Sequence, residues 1–246
     1  MNKIYTNNFL KINLYKRASS KSEIITQMIY GESFTVIFKK NNWWKIKIKE
    51  DDYVGFIKKK KFIDYLKPTH KVNILSAKIY KLSNKKKELG KLTFGSKIKV
   101  IKKQKKMSRF QNKWVKSCDL KPIGFKNKNI FSKIHMFKNV KYKWGGKTFE
   151  GIDCSALVQV FFNFNNRYSP RDTKDQFKFF KKRTDLNNLK KDDIIFWKGH
   201  VAIILSKKNL IHAYGPKKKT VVMNINKTIR LIKKTAKLGV SGIKKI

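Results

Sequence analysis

The chain has 246 residues, with 61 Lys and Arg against 15 Asp and Glu, a formal net charge of +46. Hydrophobic residues make up 41% and aromatics 13%, which is too much core material for a disordered polycation. No apolar run is long enough to span a bilayer, and two cysteines, Cys118 and Cys154, are too few for a disulfide-built scaffold or a four-cysteine zinc site.

Only six of the basic residues are Arg; the rest are Lys, and Asn and Ile are abundant too. This pattern reads as a compositional bias that yields a solvated lysine coat. A nucleic-acid groove mixes Arg with exposed aromatics. Long-range attraction to anions is expected, but no specific nucleic-acid site. At the N-terminus, Asn7, Asn8, Lys11 and Asn13 interrupt any apolar stretch that would serve as a secretory signal. The expectation is therefore a cytoplasmic protein with both thiols reduced.

The first 120 residues hold a weak internal repeat. Leu14-Tyr15-Lys16 and Ile79-Tyr80-Lys81 begin two copies. Each continues through an aromatic-Gly step, Tyr30-Gly31 or Phe94-Gly95, into an alternating run and then a Trp strand, Trp43 to Ile48 or Lys113 to Val115. Period-two alternation with Gly-bearing turns predicts short antiparallel strands. Two small β-barrels, 1–67 and 68–124, fit that spacing. In the first, the Trp strand is followed by Tyr53-Val54-Gly55-Phe56-Ile57, a succession that resembles bacterial SH3 domains. The second lacks this closing strand.

Around Pro122 and Gly124 a linker is expected, and 125–246 forms a third unit. Asp153 is a good N-cap type, and apolar residues at 157, 160, 161 and 164 have helical spacing. Strand-like runs follow at Ile194 to Trp197, His200 to Leu205 and Leu210 to Tyr214. One helix and then an antiparallel sheet is an α+β pattern.

Cys154 falls in the first helical turn, where unpaired N–H groups favour a thiolate; the bland alternative is a small buried residue. A nucleophilic Cys needs a base, and the base an orienting partner. His200 and His212 sit on successive strands. A three-residue loop at Ser206–Lys208 pairs His212 with Ala202 and puts both histidines on one face. A two-residue loop puts them on opposite faces and defeats the idea.

Tyr142-Lys143-Trp144-Gly145-Gly146 followed by Gly151-Ile152-Asp153-Cys154-Ser155-Ala156-Leu157 resembles the catalytic motif of NlpC/P60 cysteine peptidases. Pro170-Arg171-Asp172-Thr173 with Gln176, Leu189 to Phe196, Gly199 to Ile203 and Ile211-His212-Ala213 resemble further family segments in the family's order. Ala156 and Asp192 stand where the family commonly has Gly. The resemblance implies a papain-like catalytic domain behind two SH3-like barrels, and hydrolysis of cell-wall (murein) peptides between D-glutamate, through its γ-carboxyl, and a diamino acid. It implies Cys154 as nucleophile, His200 as general base, His212 as its orienter and Tyr142 near the oxyanion. Asp153, Ser155, Asp172 and Thr173 would hold a free L-Ala amino end, and Trp144 would line the pocket. Glu50, Asp51, Asp52 and Tyr53 of the first barrel are candidates for capping that end. No metal and no cofactor are implied. The alternatives are another papain-like amidase or acyl transfer, or a non-catalytic module binding anionic wall polymer or nucleic acid. Oligomeric state is not legible.

Overall fold

The structure, a computed structural model, describes residues 3–246. Its strands fall into three groups along the chain. Residues 4–64 form one seven-stranded antiparallel sheet in the order Ile24–Ile29, Lys11–Tyr15, Val54–Lys58, Trp43–Ile48, Ser33–Lys40, Ile4–Thr6, Ile63–Asp64. Alternation builds its core: Ile12, Leu14, Met28, Phe34, Trp44, Ile46, Ile48 and Ile57 point inward together.

Residues 70–122 form a second all-β unit of a five-stranded and a three-stranded sheet. Its core holds Val72, Ala77, Ile79, Leu92, Ile98, Phe110, Val115 and Leu120. Leu14 and Ile79, at matching points of the sequence repeat, are both core residues. The expected linker is partly strand: Leu120–Pro122 pairs antiparallel with His70–Val72. Pro122 is tolerated there at the strand's last position.

The C-terminal unit is a helix on a six-stranded antiparallel sheet. The order is Arg183–Thr184, Gly242–Lys244, Ile194–Trp197, His200–Ile204, Asn209–Tyr214, Lys219–Asn224. Helix α1, Cys154–Phe164, packs on the face bearing Ile194, Phe196, Val201, Ile203, Ile211 and Ala213. The other face carries Ile195, Trp197, Ala202, Ile204 and Leu210, covered in part by Ile225 and Ile232 of a later helix, Ile225–Ala236. Because both faces are covered, these strands read as nearly continuous apolar runs. Helix α2, Thr173–Phe179, lies beside α1. No helix of the described residues is long and apolar enough to cross a membrane.

The three units share buried surface. Phe94 of the middle unit stacks on Phe164 at 4.5 Å and sits in the core around α1. Lys71, also from the middle unit, is buried and donates to the carbonyl of Phe164 and to Asn166 Oδ1 at 3.2 Å. Its ammonium thus caps the C-terminus of α1, where carbonyls lack helical partners and the dipole favours a cation. Between the first unit and the third, Lys147 Nζ meets Glu32 Oε1 at 2.7 Å, and Gln159 of α1 donates to Asp51 Oδ2 at 3.0 Å, all buried. Burial works against the charge on Lys147, but Glu32 and Asp51 outweigh it and hold its ammonium above the ordinary lysine range.

Candidate active site

A cavity of about 390 Å³ opens where the first unit meets the third. Its lining includes Tyr53, Trp144, Asp153, Cys154, Ser155, Asp172 and Thr173, seven of the thirteen candidate residues that the sequence singled out. The helix bearing Cys154 starts where expected: Asp153 is its N-cap, and its Oδ1 accepts from the Ala156 N–H at 2.8 Å. Upstream, Gly145 holds φ +69°, and a Cβ there would lie 2.4 Å from the Ile24 carbonyl oxygen. That close approach demands glycine and presses the Trp144-Gly145 segment against the first unit. The Gly145 N–H donates to Asp153 Oδ2 at 2.9 Å, which ties this segment to the helix start.

The histidine hairpin takes the three-residue loop. Ile203 pairs with Ile211 and Ile204 with Leu210, a register that sets His212 opposite Ala202. Both rings therefore share a face, and His200 Nε2 lies 2.8 Å from His212 Nδ1. His212 is fully buried, stacks on Tyr214 at 4.6 Å and reaches Met223 Sδ with Nε2 at 3.3 Å. One proton serves the contact between the rings, leaving Nδ1 of His200 for other work. The Cys154 Sγ lies 4.0 Å from the carbonyl oxygen of Gly199, the residue before His200.

Electrostatics depart from the sequence expectation at two points. The first is the thiol. Its place at the helix start predicts a lowered pKa, but burial dominates and pushes Cys154 up to about 11, with Asp153 adding to the effect. Donors from Val201 and Thr173 work in the opposite direction. Burial likewise holds His200 down at about 4 and His212 at about 3, with His200 adding to the effect on His212. At neutral pH the site therefore holds a neutral thiol and neutral imidazoles.

The second is the acidic pair. Asp153 and Asp172 are not two equivalent carboxylates waiting for a cation. Arg171 is buried and clasps Asp153 with two nitrogens, Nη1 to Oδ1 at 3.0 Å and Nη2 to Oδ2 at 2.5 Å. It also donates to Ser155 Oγ at 2.9 Å and to Thr26 Oγ1 of the first unit at 2.7 Å. Asp153 is thus neutralised and filled, a fixed structural carboxylate. Asp172 differs: its partner is the Tyr53 hydroxyl, at 2.9 and 3.1 Å from its two oxygens. Burial raises the Asp172 pKa, against the Tyr53 hydrogen bond and the Arg171 charge. An arriving cation would restore what burial takes away.

Tyr142 is half-buried beside this cluster, and its phenol is raised by burial and then by nearby Cys154 and Asp153. Among the first-unit candidates, Asp51 faces Gln159 and Lys147, Glu50 pairs with Lys97 at 2.9 Å, and Asp52 pairs with Lys47 at 2.8 Å. Of that group only Tyr53 lines the cavity. The sequence assigns no site role to Arg171, Lys16 or Glu23, which line the cavity too; Lys16 figures there only as a repeat landmark. Arg171 beside Asp172 was the one available signal, since arginine is rare in this lysine-rich chain.

Residues 139–236 match the family model described as NlpC/P60 family, and residues 14–62 match that described as bacterial dipeptidyl-peptidase Sh3 domain. A gamma-D-glutamyl-L-lysine dipeptidyl-peptidase of Bacillus subtilis is 26% identical over 233 residues, covering 84% of this chain and 77% of the relative. A protein of the same description from Bacillus cereus is 21% identical, covering 85% of this chain and 72% of the relative. The crystal structure of an NlpC/P60 family protein from Bacillus cereus superposes with a TM-score of 0.84 at 18% identity, covering 98% of this chain and 99% of that one. That structural likeness extends through all three units. The chain thus carries an NlpC/P60 domain at residues 139–236 and, ahead of it, a bacterial SH3 domain at residues 14–62.

Proposed function

We propose that this protein is a cysteine peptidase acting on murein peptides, and that it cleaves the bond between γ-D-glutamate and a diamino acid in fragments with a free L-Ala amino end. The observation that carries the reading is the joint construction of the cavity: Cys154 and Thr173 from the third unit meet Tyr53 of the first, and Tyr53 holds Asp172. The relatives named gamma-D-glutamyl-L-lysine dipeptidyl-peptidase support the substrate class.

In this mechanism His200 takes the thiol proton as attack begins, rather than from a preformed ion pair. His212 fixes the His200 ring through the 2.8 Å contact, and burial keeps both rings unprotonated at rest. Sulfur attacks the scissile carbonyl, the tetrahedral oxyanion forms near Tyr142, and the amine leaves with the proton from His200. Water then releases the acyl group from sulfur. Asp172 receives the substrate ammonium through a charge-assisted contact; Asp153, already held by Arg171, orients Ser155 and the helix start. The middle unit, residues 68–124, serves as a second SH3-like barrel that anchors α1 from behind. Residues 1–67, 68–124 and 125–246 are the three domains of this reading. The enzyme trims or recycles wall fragments and needs no metal or cofactor.

The test compares L-Ala-γ-D-Glu-diamino acid peptides, free and N-acetylated. Rapid cleavage of the free peptides and slow cleavage of the acetylated ones is expected, because a blocked end brings no ammonium to the Asp172 carboxylate and needs more space. Equal rates would remove the amino-end claim and leave the peptidase claim standing.

A further inference from the structure

Trp144 is 61% exposed although it lines the cavity that holds Cys154. Its backbone is fixed by the Gly145 contact with Ile24, and its indole has a hydrogen-bonded support. The support comes from the other unit. Trp144 Nε1 donates to Glu23 Oε1 at 2.8 Å, and Lys16 Nζ meets the other oxygen, Glu23 Oε2, at 3.3 Å. All three side chains line the cavity, and Lys16 and Glu23 also line a second hollow of about 390 Å³ formed by the segment 16–23.

Glu23 is itself well placed. It immediately precedes strand Ile24–Ile29, whose next residues dock on the third unit: Thr26 accepts from Arg171 at 2.7 Å and Gln27 accepts from the Lys147 N–H at 3.0 Å. Ile25 lines the cavity between them. The hydrogen bond from Trp144, followed by that from Lys16, holds the Glu23 carboxyl below its ordinary range, so the acceptor is ionised at neutral pH.

We infer that Glu23 is a positioning residue, a clasp from the SH3 domain that holds the Trp144 indole across the mouth of the cavity and so sets the shape of the substrate's binding wall. The inference rests on the peptidase reading for its consequence but not for its existence. An unheld indole samples several rotamers, and the substrate must then order it on binding. The clasp acts through the acceptor oxygen, not through charge on the substrate. That distinction makes it testable with two variants, because Gln keeps a carbonyl oxygen for the indole N–H and Ala does not.

The experiment measures acrylamide quenching of Trp144, taken as the difference between each protein and its Trp144→Phe counterpart, together with kcat and KM on a free-amine peptide. Glu23→Ala should raise quenching and raise KM by about three- to tenfold, the size of one hydrogen bond, with kcat little changed. Glu23→Gln should retain near-wild-type quenching and KM. In a Trp144→Phe background Glu23→Ala should add nothing to KM. Quenching unaltered in Glu23→Ala, or Glu23→Gln as impaired as Glu23→Ala, would overturn the clasp. Quenching needs no turnover, so the clasp stands or falls even if the peptide is not a substrate, and that outcome would instead count against the proposed function.

Discussion

Replacing Arg171 by Leu removes the one cation that neutralises Asp153 behind the nucleophile. Arg171 is 2% exposed and Asp153 5% exposed, so neither group can turn to water. The substitution deletes two contacts to Asp153, one to Ser155 and one to Thr26. Leu fills much of the volume, and the main penalty is a buried carboxylate left with only the N–H groups of Ala156 and Gly145 and the Ser155 hydroxyl. Breaking a buried pair from one side costs about 3–5 kcal/mol. For a chain of this length each kcal/mol moves Tm by about 2–4 °C, so a fall of roughly 6–20 °C is expected. The assay is thermal unfolding of Arg171→Leu, Asp153→Asn and the double variant. Asn still caps a helix but carries no charge, so the double variant should recover about half of the loss. A fall below about 4 °C in Arg171→Leu, or a double variant less stable than Arg171→Leu alone, would refute the reasoning.

The remaining expectations concern titration. Burial lowers His200 from 6.5 to about 4 and His212 to about 3, so the unfolded chain takes up these protons first as pH falls. Their contribution to stability is complete above about pH 6.5 and is lost on acidification toward 4 and 3, with a slope of up to about 1.4 kcal/mol per pH unit for each ring. Denaturant titration of His212→Asn should show a shallower acid slope than wild type; an equal slope would contradict the assignment. For Cys154, held up at about 11, the rate of iodoacetamide labelling should keep climbing above pH 9. A plateau below pH 8 would instead reveal a preformed thiolate.

Local signals in the sequence carried local structure well. The Asp153 cap and the spacing of Leu157, Val160, Phe161 and Phe164 mark α1 because capping and helical period act within a few residues. The hairpin between His200 and His212 could be narrowed to two loops, and the sheet register chose the three-residue one. Asp192, where the family commonly has Gly, adopts φ +75°, a left-handed conformation that Asp tolerates better than most residues. What stayed hidden is the pairing between units. Lys147 with Glu32, Arg171 with Thr26, and Trp144 with Glu23 are each more than a hundred residues apart, and no periodicity encodes them. The different surroundings of the two carboxylates stayed hidden for that reason: Arg171 stands beside Asp172 in the chain, yet its guanidinium pairs with Asp153. The thiol expectation failed because burial, set by packing of all three units, outweighs the helix terminus.

The most direct test of the central claim is mass spectrometry of L-Ala-γ-D-Glu-L-Lys incubated with the wild type and with Cys154→Ala. The substitution removes the nucleophile and little else, since Cys154 is a small buried residue. The wild type should release L-Ala-γ-D-Glu and free lysine, and Cys154→Ala should release neither while unfolding at a similar temperature. Release of the same products by a folded Cys154→Ala protein would contradict the account.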